Sequence, residues 1–260
     1  MMTEQLEYPI FLPAGVQHNF KFPREPILIE TEKVKERLPF TVRLVQSEQD
    51  LQKAIQVRHA AYARHVPEFA ESLRQAEPAD LEEGVAILLA ESKLDGSAIG
   101  TMRIQTNQVN PLELEHSVML PDWLQNRSIA EATRLGVQGK EGRLVRCALS
   151  KAYFEYCQQN RIDWMLVTGR ATVDRDYYRM HFEDVYPDLG YIPMKHVGNI
   201  PHRVMALQVS MVQPRWAEKN QPLYDFFFHT EHADINVSTV SGSAATITMQ
   251  PPSILASSYA

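Results

Sequence analysis

From residue 41 to 212 the order of apolar and polar positions switches repeatedly between two periods. Residues 41–45 alternate, as a strand with one buried face does. Ser47, with Asp50 three residues on, marks a helix N-cap, and the helix it opens extends to about residue 66. Residues 85–90 and 97–105 read as two strands joined by a turn at 93–96, an antiparallel hairpin. Another alternating strand covers 129–137, and 143–160 is helical, with Val145, Ala148, Leu149, Ala152 and Tyr156 on one stripe. A short strand at 165–168, a short helix at 172–181 and a last strand at 204–212 follow. An antiparallel front half and a βαβ-like back half predict an α+β fold built on a mixed α/β sheet.

This pattern places one domain at 40–233. The proline-rich stretch 1–39 (Pro9, Pro13, Pro23, Pro26, Pro39) shows no lasting period and reads as an arm. Residues 234–260, rich in Ser, Thr and Ala with almost no charge, have the composition of a disordered tail. No run of 18 apolar residues exists and acids stand early (Glu4, Glu7), so neither a membrane span nor a secretory signal is expected; the expectation is a cytoplasmic enzyme. Cys147 and Cys157 fall on one predicted helix, about 15 Å apart along its axis, which excludes a bridge between them; no metal site is expected. A net charge of −6 argues against nucleic acid as a partner.

Several polar side chains fall where the pattern demands apolar ones. Arg58 sits in the stripe formed by Leu51, Ile55 and Tyr62, so it requires a carboxylate or a ligand anion. By strict alternation Glu131 shares a face with Ile129, Thr133, Leu135 and Val137, while Arg134 points the other way. Desolvation should push the Glu131 carboxyl upward unless Arg58 or Arg103 pairs with it, which makes it a candidate base as well as a candidate structural ion-pair member. Arg103 ends the hairpin strand on the face of Ile99 and Thr101, and Asp80 stands in the acidic segment 77–83, most of which reads as a solvated loop.

Taken in order, Arg58-His59-Ala60-Ala61-Tyr62, Asp80, Gly100-Thr101-Met102-Arg103 and Glu131-Ala132-Thr133-Arg134 resemble the acyl-homoserine-lactone synthases and their relatives, the N-acyl amino acid synthases. The resemblance spans roughly residues 41–212 and implies a GNAT-like acyl-CoA N-acyltransferase fold. It implies that Arg58, Tyr62, Asp80 and Arg103 bind the amine substrate, that Glu131 and Arg134 serve catalysis, and that Tyr178, next to Tyr177, protonates the leaving thiolate. The lactone synthases usually carry a tryptophan soon after the first-helix aromatic, whereas this chain reads Ala63-Arg64-His65-Val66-Pro67, which favours the N-acyl amino acid branch. The competing readings are a lactone synthase using S-adenosylmethionine, an acetyl-CoA-dependent N-acetyltransferase, and a non-catalytic domain that binds acyl carrier protein.

Coenzyme A users of this superfamily show Gln/Arg-x-x-Gly-x-Gly/Ala after the central strand, where backbone N–H groups face a pyrophosphate. Here the stretch is Gln138-Gly139-Lys140-Glu141-Gly142-Arg143, with an acid in place of the first glycine. That favours a donor with a single phosphodiester, the phosphopantetheine arm of acyl carrier protein, over coenzyme A, held by Val137, Gly139, Gly142 and Arg143; no tightly bound cofactor is expected. The expected oxyanion donors are backbone N–H groups near 137–139. From Arg134 to Arg179 nine Lys/Arg stand against five acids, a basic stretch in an acidic chain that suits an acidic carrier protein. An amino acid is the expected acceptor.

Overall fold

A computed structural model describes residues 33–238; the remainder of the expected arm and tail lies outside the described residues. The strands are β1 (Val34–Glu36), β2 (Phe40–Leu44), β3 (Val85–Ser92), β4 (Ala98–Thr106), β5 (Ile129–Val137), β6 (Trp164–Arg170), β7 (Glu183–Asp184), β8 (Ile192–Met194), β9 (Ile200–Gln208), β10 (Thr230–His232) and β11 (Ile235–Asn236). The helices are α1 (Glu48–Ala63), α2 (Pro67–Glu71), α3 (Gly142–Gln159), α4 (Asp174–Arg179) and α5 (Val209–Glu218). α1 starts where the cap signal places it, with the Asp50 N–H donating to the Ser47 hydroxyl at 3.1 Å.

The main sheet runs β11-β2-β3-β4-β5-β6-β9-β7, with β8 also paired to β9. β2 to β5 are antiparallel neighbours, whereas β5 and β6 are parallel and joined across α3. This is the mixed sheet that the two halves of the pattern predict. One face packs on α3 and α5 through Phe40, Leu88, Met102, Ile104, Ala130, Ala132, Met165 and Leu207. The opposite face takes Leu51, Ala54 and Ile55 of α1 against Ile87 and Leu89. Further along the sheet it takes Leu112, Leu114 and Leu124 against Ile129, Leu166 and Val204.

Two expectations are corrected. The fold extends past both expected limits: β1 pairs with β10, and β11 pairs with β2. Asp234 accepts the Leu38 N–H at 2.9 Å and pairs with Lys93 at 2.7 Å. Strands of two or three residues are too short to show a period. The last strand ends at Gln208 rather than 212, because Val209, Val212 and Trp216 are buried at helical spacing and belong to α5.

Candidate functional site: an opened sheet edge beside a buried ion cluster

The ladder between β5 and β6 covers only Ile129–Ala132 against Trp164–Val167. Beyond it the two strands part, and a cavity of about 320 Å³ opens between them. Its wall includes Tyr62, Phe69, Arg134, Val137, Gly139, Arg146, Ser150, Thr168, Tyr177, His196 and His202. Parted parallel strands leave one edge of β5 out of the ladder at the cavity wall, and backbone groups released in this way are obligatory hydrogen-bonding groups that a ligand can satisfy.

The parting coincides with a bulge. Arg103 pairs with Thr133 and Thr101 with Gly136, so β5 spans one residue more than β4 between these points, and Arg134 adopts φ 54°. The bulge reverses the alternation. Leu135 and Val137 pack on the α3 side with Ala130 and Ala132, while Gly136 faces α1, where a Cβ would stand 3.1 Å from that of Ala61. Arg134 therefore does not point away from the Glu131 face, as strict alternation predicts; it joins the α1-side cluster.

That cluster holds three guanidinium groups and three carboxylates. Arg58 donates to both oxygens of Asp80, at 2.8 and 2.7 Å. Arg103 reaches Asp80 at 3.1 Å and Glu77 at 3.3 Å, and also pairs with Glu113 and bonds the Thr133 hydroxyl. Arg134 grips Glu77 with two bonds of 2.7 and 2.6 Å and donates to the His196 carbonyl at 2.7 Å, with its guanidinium 5.4 Å from the Phe69 ring centre. Burial pushes the Asp80 and Glu77 carboxyls upward, but the Arg58 hydrogen bonds on Asp80 and the Arg134 hydrogen bonds on Glu77 hold both below the ordinary carboxylate range. Arg58, Asp80 and Arg103, expected to bind the acceptor, are buried, pair with one another and do not line this cavity. Glu77, which the pattern assigns to a solvated loop, is the carboxylate shared by all three arginines. Pro78, at the first turn of the 3-10 helix Pro78–Leu81, is the sequence sign that this acidic segment is structured.

Glu131 stands apart from this network. It is fully buried, one oxygen accepts the Leu114 N–H at 3.2 Å, and the other has no hydrogen-bond partner. Neither Arg58 nor Arg103 forms an ion pair with it; burial, followed by the nearby Glu113 charge, pushes its carboxyl up to about 8. It does not line the cavity. His196, which does line the cavity, has its Nε2 4.0 Å from the free Glu131 oxygen.

The remaining expected residues divide. Tyr62, Val137 and Gly139 line the cavity; Gly142 and Arg143 do not, and Arg146, one turn into α3, does. The Gln138 N–H is already bonded to the Ile99 carbonyl at 2.8 Å, so it is not available as an oxyanion donor, and the Val137 carbonyl accepts from Arg64 at 2.6 Å. Tyr178 turns outward and donates to Asp184 at 2.6 Å, while its neighbour Tyr177 takes the place on the cavity wall. Burial pushes the Tyr177 hydroxyl upward. Burial also raises both thiols, and neither Cys147 nor Cys157 lines the cavity. Among the described residues no His/Cys/Asp/Glu group has metal-binding geometry, and no helix is long and apolar enough to cross a membrane.

No protein-family model and no curated protein matches the chain. Solved structures do. FeeM, an N-acyl amino acid synthase from uncultured soil microbes, superposes with a TM-score of 0.51 at 13% identity, over 69% of this chain and 96% of that one. The acyl-homoserine lactone synthase LasI gives 0.49 at 14% identity over 66% and 93% of the two chains. The corresponding values for BjaI, a CoA-dependent acyl-homoserine lactone synthase, are 0.47 and 16% over 74% and 93%. The superposition on FeeM shows that this chain shares the fold of that enzyme. At such identities the likeness speaks to the fold alone.

Proposed function

We propose that the chain is an N-acyltransferase that moves a long-chain acyl group from acyl carrier protein to the amino group of an amino acid. The observation that carries this reading is the cavity at the parted β5 and β6 edges, continued inward by a second, apolar cavity. Ser150, Tyr177 and Met180 border both, and the inner one is walled by Met102, Phe154, Met165, Trp216 and Phe227. An acyl thioester entering from the open edge would place its carbonyl near the freed β5 backbone and its chain against this apolar wall. Three methionines on that wall (Met102, Met165 and Met180) supply side chains that repack readily around a flexible chain.

Charge at the rim supports a carrier-borne donor. Arg146 and Arg179 are 45% and 76% exposed and share Asp176, while Arg143 is exposed at the start of α3. Glu141, the N-cap residue of α3, is exposed and places an acid where a pyrophosphate would sit. Opposite-charge steering would then speed docking of an acidic carrier and make it salt-sensitive.

One observation favours a second reading, a short-chain donor: the inner cavity holds only about 20 Å³ of free space, so a long chain must displace its methionines. The deciding experiment offers the full chain palmitoyl-carrier protein, acetyl-CoA and a mixture of amino acids, with and without S-adenosylmethionine, and identifies N-acyl products by mass spectrometry. The expected result is N-palmitoyl amino acid from the carrier-bound donor, with KM for that donor raised about tenfold by Arg146→Glu and by added salt. Product from acetyl-CoA alone supports the short-chain reading, a lactone product supports the synthase using S-adenosylmethionine, and binding without product supports a carrier-binding domain.

A further inference from the structure

Among the described residues, His196 is the buried imidazole on the cavity wall that the surrounding structure leaves without a partner on either nitrogen. The side chain is 3% exposed, and both ring nitrogens lack hydrogen-bond partners. A buried polar group left in this state is destabilising, and such groups are found where a ligand or a reacting atom completes them. The ring is not needed to hold its own turn. The 3-10 helix Lys195–Val197 is fixed through its backbone, by Arg134 donating to the His196 carbonyl at 2.7 Å and by the Lys195 N–H donating to the Ser117 hydroxyl at 2.9 Å.

Behind the ring lies the second unsatisfied group. The free Glu131 oxygen is 4.0 Å from His196 Nε2, a separation that a small ring movement closes to a hydrogen bond, as catalytic contacts often tighten only when substrate is bound. His196 thus borders the cavity as a residue, and its buried ring neighbours a fully buried carboxyl.

On the acyltransfer reading above, we infer that His196 is the catalytic residue that takes the proton from the attacking amine, and that Glu131 is a positioning residue that receives the proton from the far side of the ring. As the N–C bond forms and the thioester C–S bond breaks, the amine proton passes to Nδ1. The Nε2 proton passes to the Glu131 oxygen, and sulfur leaves as a thiolate that is protonated from water. The charged and titratable groups facing this pair are Arg134 from β5, Arg103 from β4, Glu113 and His116 from the turn Glu113–His116, and His202 from β9. Burial, then the Arg134 charge, lowers the imidazole to about 3, so it stays neutral and able to accept. With the carboxyl at about 8, the pair gains its accepting form as pH rises through that value.

The test measures kcat and KM against pH for the full chain, His196→Gln and Glu131→Gln in the product assay described above, with hydroxylamine as an alternative acceptor that is unprotonated at neutral pH. His196→Gln should lower kcat for the amino acid about 10²–10⁴-fold with little change in donor KM. Hydroxylamine should restore most of the loss, because it needs no base. Glu131→Gln should abolish the rise near pH 8. Wild-type kcat in His196→Gln, or equal losses with both acceptors, would overturn the assignment while leaving the acyltransfer reading intact. Absence of any N-acyl product from the wild type overturns both. Melting temperatures of the variants separate a folding defect from a chemical one, and if His196→Gln is unstable, His196→Asn is measured in the same way.

Discussion

Two buried polar groupings lie side by side on the α1 face of the sheet, and they solve the problem of burial in opposite ways. In the first, Arg58, Arg103 and Arg134 meet Glu77, Asp80 and Glu113, so charge is balanced and nearly every donor has an acceptor. In the second, Glu131 and His196 face each other at 4.0 Å with one oxygen and both ring nitrogens unsatisfied. The first grouping holds the Glu77 and Asp80 carboxyls below the ordinary carboxylate range; the second suppresses ionisation of both members. The contrast teaches that burial alone does not mark chemistry. A balanced buried cluster packs beside the bulge of β5, and the neighbouring pair is left incomplete.

The largest effect expected from breaking the comparison is on stability. Asp80→Asn leaves the buried Arg58 and Arg103 without a full countercharge, and removal of one member of such a network costs about 3–5 kcal/mol. Urea denaturation should show the midpoint falling with an unchanged slope. A drop below 1 kcal/mol would mean that the cluster is not what holds α1 to the bulge.

The pH dependence of stability should carry opposite signs for the two groupings. Glu77 and Asp80 have depressed carboxyls, so their contribution is present above the unfolded value of about 4 and is lost as pH falls through the folded value. Glu131 has a raised carboxyl, so the unfolded chain ionises it from about pH 4.3 while the folded chain keeps the proton to about 8. Unfolding releases a proton in that window, and stability falls as pH rises, by at most about 1.4 kcal/mol per unit. Glu131→Gln should flatten this neutral-side slope and leave the acid-side loss unchanged. Urea titrations between about pH 2 and pH 8.5 test both statements, and an unaltered neutral slope in the variant would remove Glu131 from the account.

The smallest effect sharpens the comparison at the bulge. Gly136→Ala puts a methyl 3.1 Å from the Ala61 Cβ and 3.3 Å from the Arg58 Cα, so α1 must yield by a few tenths of an ångström. The expected cost is about 1 kcal/mol. Thermal melting reads the loss, and because Arg58 moves with α1, the variant should weaken the first grouping while sparing the His196 pH profile.

Much of the frame was legible before any coordinates. The cap at Ser47 places the start of α1, which ends at Ala63 short of the expected 66; the 3.6-residue stripe places α3 to within a residue, and β5 runs over the predicted span. Both signals are local, since each depends on residues within one turn or one alternation. Arg58 and Glu131 also announced themselves, as charges on apolar faces. Their partners did not, because Asp80 is 22 residues from Arg58 and His196 is 65 residues from Glu131, and no local period links such positions. The direction of Arg134 was misread for a related reason: one extra residue and a positive φ reverse every later side chain of β5, and a bulge is set by the strand opposite.

The sequence by itself determined the order and type of the main strands and of α1, α3 and α4, the mixed character of the sheet, and the fact that charged residues would be buried within it. Those follow from short-range periodicity and from the cost of burying charge. Only the tertiary structure decided which charges neutralise one another, which tyrosine faces the cavity, and that an imidazole from a short turn stands beside Glu131. Those depend on where β5 and β6 part, and parting is a property of two strands packed between helices rather than of either strand alone.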